Sequence, residues 1–292
     1  MDAEPTLPPL TPGTLYLVAT PIGNLEDITL RAINTLKSVA LIAAEDTRRT
    51  GSLLRHFAIT TPTTSLHEHN ERQKLPHILR KLTDGSDIAL VSDAGTPLVS
   101  DPGQRLIAAS IERGVQVVPI PGASAVLSAL VASGFPADTF VFAGFAPSRS
   151  KDRKQWLAAL RSESRPIVVF ESPHRIAATL EDIATILGER PISVSRELTK
   201  LHEEVIRGRS NSLNIAGVPR RGEFTIVLGP AIDVREIPSA PSDDQVAEIF
   251  GQITNNAAYS RREALAETGR RLGLSTNHVY AILERLKVSS AP

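Results

Sequence analysis

An acidic pair and two arginines, Glu45-Asp46-Thr47-Arg48-Arg49, stand directly after the short apolar run Leu41 to Ala44. Carboxylates and guanidinium groups at a strand's end could form a polar site. The same residues could instead be a helix cap, Asp46 or Thr47, with a surface ion pair beside it. A second candidate is Ser92-Asp93-Ala94-Gly95-Thr96-Pro97, continuing through Ser100-Asp101-Pro102-Gly103. It follows the apolar run Asp87 to Val91, which reads as a buried strand. It leads into the periodic segment Leu106 to Ile111, with Asp101 as the expected N-cap and Pro102 as the first helical residue. Small residues in such a loop let a ligand approach the backbone, and a helix N-terminus favours a carboxylate or phosphate. Pro121-Gly122-Ala123-Ser124-Ala125 repeats the arrangement. His67, Glu68, His69 and Glu71 crowd two histidines and two carboxylates together, but their spacing matches no zinc helix such as HExxH. No metal is expected, and the segment reads as a polar loop. The basic run Ser148 to Lys154 is either a phosphate contact or a solvated helix start.

The elements that must position these residues follow from periodicity. Thr14 to Thr20, Leu41 to Ala44, Asp87 to Val91 and Gln116 to Pro119 read as strands, each followed by a helical pattern. The first half is therefore a parallel α/β sheet, with its loops at the carboxyl ends where ligands collect. Gly134 to Asp138 breaks the pattern. Strands then follow at Thr139 to Ala143, Ile167 to Phe170 and Ile192 to Ser195. Glu204 to Arg207 and Phe224 to Leu228, close together in sequence, indicate a mixed sheet. Near the end, Ser260 to Leu272 should be a helix with Leu265, Ala266 and Leu272 inward. Ser275 should cap a second helix with Val279, Ile282, Leu283 and Leu286 inward, a helix-turn-helix pattern. The expected organisation is a flexible tail over 1–12, α/β domains over 13–134 and 135–232, a Pro-rich linker over 233–243 and a helical region over 244–288.

Composition narrows the class. The 292 residues, 41% hydrophobic and 22% charged, suffice for more than one domain with its own core. No run reaches the apolar length of a membrane span. With no cysteine there are no disulfides and no thiolate metal site, which fits a cytoplasmic setting. The formal net charge is zero, so a nucleic acid would have to meet local patches. Neither GxGxxG, a P-loop nor GxSxG occurs, so dinucleotide, nucleotide-triphosphate and serine-hydrolase sites lack support.

The runs Ala19 to Asp27, Ala44 to Arg48, Ser92 to Pro97, Ser100 to Gly103, Pro121 to Ala125, Phe170 to Arg175 and Gly222 to Thr225 resemble the tetrapyrrole (precorrin) methylase superfamily. Within it they resemble the RNA-modifying group that 2′-O-methylates a cytidine in the decoding region of 16S rRNA. The resemblance covers about Gly13 to Pro230; Ser65-Leu66 departs from it where an aromatic is expected. It implies two α/β domains with S-adenosylmethionine in the cleft between them, a homodimer, and 16S rRNA in the 30S subunit as partner. Carried over by position, cofactor contacts fall on Pro21, Val91, Ser92, Asp93, Thr96, Pro97, Ser124, Ala125, Phe170 and Gly208. A ribose 2′-hydroxyl is a poor nucleophile, so Glu45 and Asp46 are the catalytic candidates. Arg48, His174, Arg175, Arg196 and Lys200 are the expected substrate contacts. Two alternatives are a methylase of the same fold acting on a tetrapyrrole or a protein side chain, and a DNA-binding regulator. The helical tail argues against a small macrocycle, and the neutral net charge against the regulator.

Overall fold

The computed structural model describes residues 11–231, 242–255, 259–272 and 274–289. The expected tail therefore lies outside the described residues except at 11 and 12, as does the expected linker except at 242 and 243. Two compact units divide the chain, residues 1–231 and 232–292.

The first unit holds two five-stranded sheets. Strands β1 (Thr14–Val18), β2 (Leu41–Ala44), β3 (Thr63–Ser65), β4 (Ile88–Val91) and β5 (Gln116–Ile120) form a parallel sheet of order β3-β2-β4-β1-β5. β2 and β4 are buried at every position. Alternate side chains explain why: Leu41, Ala43, Ile88 and Leu90 join one apolar cluster, while Ile42, Ala44, Ala89 and Val91 join another on the opposite face. Helices α1 (Leu30–Ser38), α2 (Thr47–His56), α3 (Glu71–Thr83) and α4 (Gln104–Glu112) connect these strands. Leu36 and Leu54 fill one face, and Ile78, Leu82 and Leu106 the other.

The second sheet contains β6 (Val141–Phe145), β7 (Ile167–Glu171), β8 (Pro191–Arg196), β9 (Glu204–Arg209) and β10 (Phe224–Leu228), in the order β6-β7-β10-β8-β9. Only β6 and β7 run parallel, so the sheet is mixed as expected. α6 (Ser150–Ala159) and α7 (Ile176–Leu187) cover one face through Leu157, Ile176, Leu180 and Ile183. The other face is covered by α5 (Ala125–Ser133), whose Val126, Ala129 and Leu130 pack on Val168 and Val227. α5 follows β5 of the first sheet but buries its apolar face on the second. That packing joins the halves, and the ends of β2 and β4 face the carboxyl end of β7 and the start of β10.

Two expectations shift. α4 begins at Gln104 rather than at Pro102, with Gly103 before it at φ +117°. Its first amides are capped from outside: Glu71 accepts from Arg105 N (3.0 Å) and Leu106 N (3.2 Å). In the basic run 148–154, Arg153 is only 4% exposed and pairs with Asp182 at 2.6 Å, so this cation is internal rather than solvated.

The second unit packs α8 (Asp243–Thr254), α9 (Arg261–Leu272) and α10 (Thr276–Ser289) around Val246, Val279 and Ile282. α8 adds a helix to the expected pair, started by a capping box between Ser242 and Gln245. Ala264 and Thr268 face inward, whereas Ala266 is exposed.

Candidate active site

A cavity of about 390 Å³ lies between the two sheets. Its first-sheet wall carries Ile22, Glu45, Asp93, Ser100 and Asp101; its other wall carries Ala125, Phe145, Phe170, Glu171 and Thr225. One part is thus aromatic and apolar, with the Phe170 ring edge-on to Phe142 and tilted against Phe145. The other part is a wall of carboxyl groups. A second cavity, about 530 Å³, adjoins it and is lined by His67, Glu68, His69, Glu71 and residues 102–105. Both cavities are bordered by Glu45, Ser100 and Asp101. A smaller one, about 210 Å³, is lined by Thr20, Pro21, Arg49, Ser92 and Asp93.

The loop after β4 is held by backbone. Thr20 and Gly95 exchange both N–H···O bonds at 2.9 Å, and the Ser92 hydroxyl donates to Ala94 O (3.3 Å). Gly95 sits at φ +78°, which favours glycine, and a Cβ there would stand a tight 3.3 Å from Ile22 Cγ2. Leu98 and Ser100 also adopt positive φ, +75° and +71°. Such strain in non-glycine residues concentrates at ligand sites. Val91 is buried at the end of β4, Thr96 Oγ1 donates to Ala123 O (3.4 Å), Pro97 is buried, and Ser124 caps α5. Gly208 does not join this group: it pairs with Ile192 in edge strand β9, beside the end of β8 remote from the cleft.

Adjacent carboxylates have different fates. Glu45 borders both cavities and accepts from Asp93 N (3.3 Å). Burial pushes its carboxyl up, with the Asp93 charge adding to this and the Asp93 N–H opposing it. Asp46 is the N-cap of α2, accepting from Arg48 N (2.8 Å), and its carboxylate is gripped by the Arg48 guanidinium at 2.7 and 3.1 Å. That contact holds it well below the usual carboxylate range. Asp46 borders none of the three cavities, so the structure gives it the capping duty and leaves Glu45 facing the cleft. Asp93 ties the ends of β4 and α2 together, accepting from Asp46 N (3.0 Å) and pairing with Arg49 (3.2 Å).

Asp101, expected as a helix cap, is instead a cavity carboxyl. Burial, then the nearby Glu45 charge, push it up to about 6, with the neighbouring Ser92 hydroxyl opposing the rise. Its cap-like residue type hid it, and no local signal marks the cap that Glu71 supplies from 34 positions away.

The expected substrate cations are engaged within the protein. Arg175 pairs with buried Glu171 at 2.7 Å and donates to Ala146 O (3.1 Å), while Thr179 Oγ1 donates to the other Glu171 oxygen (2.5 Å). Arg196 donates to Arg221 O (2.9 Å) and approaches Glu204 (3.5 Å). Lys200 pairs with Glu197 (2.8 Å) and Glu223 (3.0 Å), its stem filling the space a Cβ at Gly23 would need. Arg48 is exposed but paired with Asp46, and His174 is exposed. No cluster of three or more His, Asp or Glu able to hold a metal occurs among the described residues.

Two α/β sheets facing across a ligand-sized cleft, with the loop after β4 at its floor, define a methylase of the tetrapyrrole type. The family model described as Tetrapyrrole (Corrin/Porphyrin) Methylases matches residues 14–214, and the chain belongs to that family. More particularly, it is 52% identical over 222 residues to ribosomal RNA small subunit methyltransferase I of Synechocystis, covering 75% of this chain and 80% of that one. It is 52% identical over 268 residues to the Vibrio cholerae protein of the same name, covering 84% and 92%. Among solved structures, uroporphyrin-III C-methyltransferase from Thermus thermophilus complexed with S-adenyl homocysteine superposes with a TM-score of 0.50 at 20% identity. It covers 75% of this chain and 99% of that one.

Proposed function

We propose that the inter-sheet cavity binds S-adenosylmethionine and that the chain methylates the ribose 2′-hydroxyl of a cytidine in the decoding region of 16S rRNA. The observation that carries this reading is the cavity's two-sided chemistry within a chain of this family. Phe170, Phe145 and Ala125 suit a flat nucleoside, and the carboxyl wall of Glu45, Asp93 and Asp101 suits a cationic sulfonium. Gly95 keeps the loop clear of Ile22 on the cavity's edge. The cofactor supplies an electrophilic methyl group when bound. The protein's part is then to align that group with the acceptor, exclude water and accept a hydrogen bond from the hydroxyl.

Ribosomal RNA as substrate is supported by the names of the relatives. The cytidine, the 2′-oxygen and the assembled 30S subunit rest on the resemblance carried by Glu45 to Arg48, Ser92 to Pro97 and Ser172 to Arg175. The homodimer belongs to the same proposal; Leu127 and Val131, one turn apart on α5, leave an apolar stripe exposed that a second copy could cover. Among the described residues no helix is long and apolar enough to cross a membrane. The test is incubation of the protein with radiolabelled S-adenosylmethionine and either 30S particles or free 16S rRNA. Label should enter the RNA as a 2′-O-methylcytidine, recovered as an alkali-resistant dinucleotide. Label on a base, or on ribosomal protein, would overturn the reading.

A further inference from the structure

We infer that the second cavity, between the His67–His69 loop and residues 100–105, receives the nucleotide to be methylated, and that Asp101 takes the proton of its ribose hydroxyl. The inference rests on the methyltransferase reading above and adds the acceptor's place and the proton's destination.

Donor and acceptor must meet where their cavities meet. The two cavities share the Glu45, Ser100 and Asp101 border, so a hydroxyl entering from the second cavity reaches the first beside these two carboxyl groups. The second cavity's volume, about 530 Å³, lies in the range of small-molecule sites. Its wall is polar, as a nucleotide requires. His67, a residue of that wall, also carries an unmet polar atom: its Nδ1 is buried with no hydrogen-bond partner among the described residues. Buried polar atoms are nearly always paired, so turning this ring toward a base bearing an amine and a carbonyl would satisfy it.

Glu68 lines only the second cavity, and the carboxylates nearest the shared border are already employed. Glu71 is committed to the first amides of α4, Asp93 to α2 and Arg49, and Glu45 to the Asp93 amide. Asp101 is freed from capping because Glu71 does it. Its environment suits a proton acceptor. Glu45, Asp93 and Arg49 face it from the strand ends and α2. His67, Glu68 and His69 face it from the loop before α3, Arg105 from α4, and Glu171 and Glu223 across the first cavity. With its proton affinity raised to about 6, Asp101 is ionised at neutral pH yet more basic than an ordinary carboxylate. In the step, the oxygen–carbon bond forms as the carbon–sulfur bond breaks. The electron pair of the broken bond stays on sulfur, which loses its charge, and the hydroxyl proton passes to Asp101 and then to solvent.

The experiment compares wild-type protein, Asp101→Asn and His67→Ala on 30S particles, with single-turnover rates from pH 5 to 8 and S-adenosylmethionine affinity by calorimetry. The wild-type rate should rise with pH around a midpoint near 6. At saturating S-adenosylmethionine, Asp101→Asn should lose about 100-fold or more in single-turnover rate and flatten the profile, a loss that a weaker hold on the sulfonium does not account for. Since Asp101 is only half-buried and has no capping duty, the substitution should fold; should it not, Asp101→Glu must fold and move the midpoint. His67→Ala should raise the half-saturating concentration of 30S particles several-fold. A wild-type rate and profile in Asp101→Asn, an unmoved midpoint in Asp101→Glu, or unchanged 30S saturation in His67→Ala would overturn the inference. If the wild-type product is itself not a 2′-O-methyl ribose, the function reading has failed instead.

Discussion

Glu45 and Asp46 are neighbours of the same chemistry, and one peptide bond decides what each can do. The turn into α2 aims Asp46 at the helix amides and Arg48, while Glu45 remains on the cleft side. Glu45→Gln keeps an oxygen for the Asp93 amide, so the fold should survive, and rates are compared at saturating cofactor because one carboxylate of the wall facing the sulfonium is gone. Single-turnover methylation should fall about tenfold, and the pH midpoint should move down, because the Glu45 charge no longer opposes ionisation of Asp101. A stopped-quench pH series checks both; an unmoved midpoint would separate Glu45 from the proton transfer. At Gly95, Val must adopt φ +78° and place its Cβ against Ile22, so Gly95→Val should weaken cofactor binding about tenfold or more in calorimetry. The loop bearing Gly95 could be read from sequence because its small residues follow an apolar run directly. Asp101 could not, because an Asp before a Pro looks like a cap and the true cap lies far off along the chain.

At the scale of elements, legibility follows burial. β2 and β4 show as unbroken apolar runs because helices cover both their faces, whereas edge strand β3 is Thr63-Thr64-Ser65 and leaves no such trace. Which sheet a helix covers is a tertiary choice: α5 follows the first sheet in sequence and covers the second. Cations mislead in the same way. Arg190, 3% exposed, donates to the carbonyl oxygens of Leu160, Glu163 and Gly229, and Arg153 meets Asp182 between α6 and α7, so neither is a surface charge. Removing one partner of a buried pair strands the other. Asp182→Ala should therefore cost about 3 kcal/mol or more in urea unfolding, with Lys154, 3.6 Å from the same carboxylate, unable to help. A loss below about 1 kcal/mol would show the pair to be screened as exposed pairs are.

For the whole molecule, the division into residues 1–231 and 232–292 separates two cores of different kinds. All the residues of the candidate cleft belong to the first. The second is built on Val246, Val279 and Ile282, and residues 259–287 carry six basic and three acidic residues, a net charge of +3. Several of those cations are paired within the unit: Arg270 and Arg271 with Glu267, Arg261 with Glu284, and Arg285 with Asp243. Exposed pairs of this sort are weak, so they can exchange a carboxylate for a phosphate at little cost. A chain ending at Asp233 keeps every apolar cluster of the first unit and should fold, with the cofactor affinity of the full protein. If the helical unit helps to hold the ribosomal substrate, the shortened chain should need more 30S particles for half-maximal rate. Its single-turnover rate at saturation should stay unchanged. The difference between the two proteins should narrow as salt rises, because phosphate contacts release counterions and weaken steeply with ionic strength. Saturation curves at low and high salt measure this directly; coincident curves at low salt would remove the helical unit from substrate recognition.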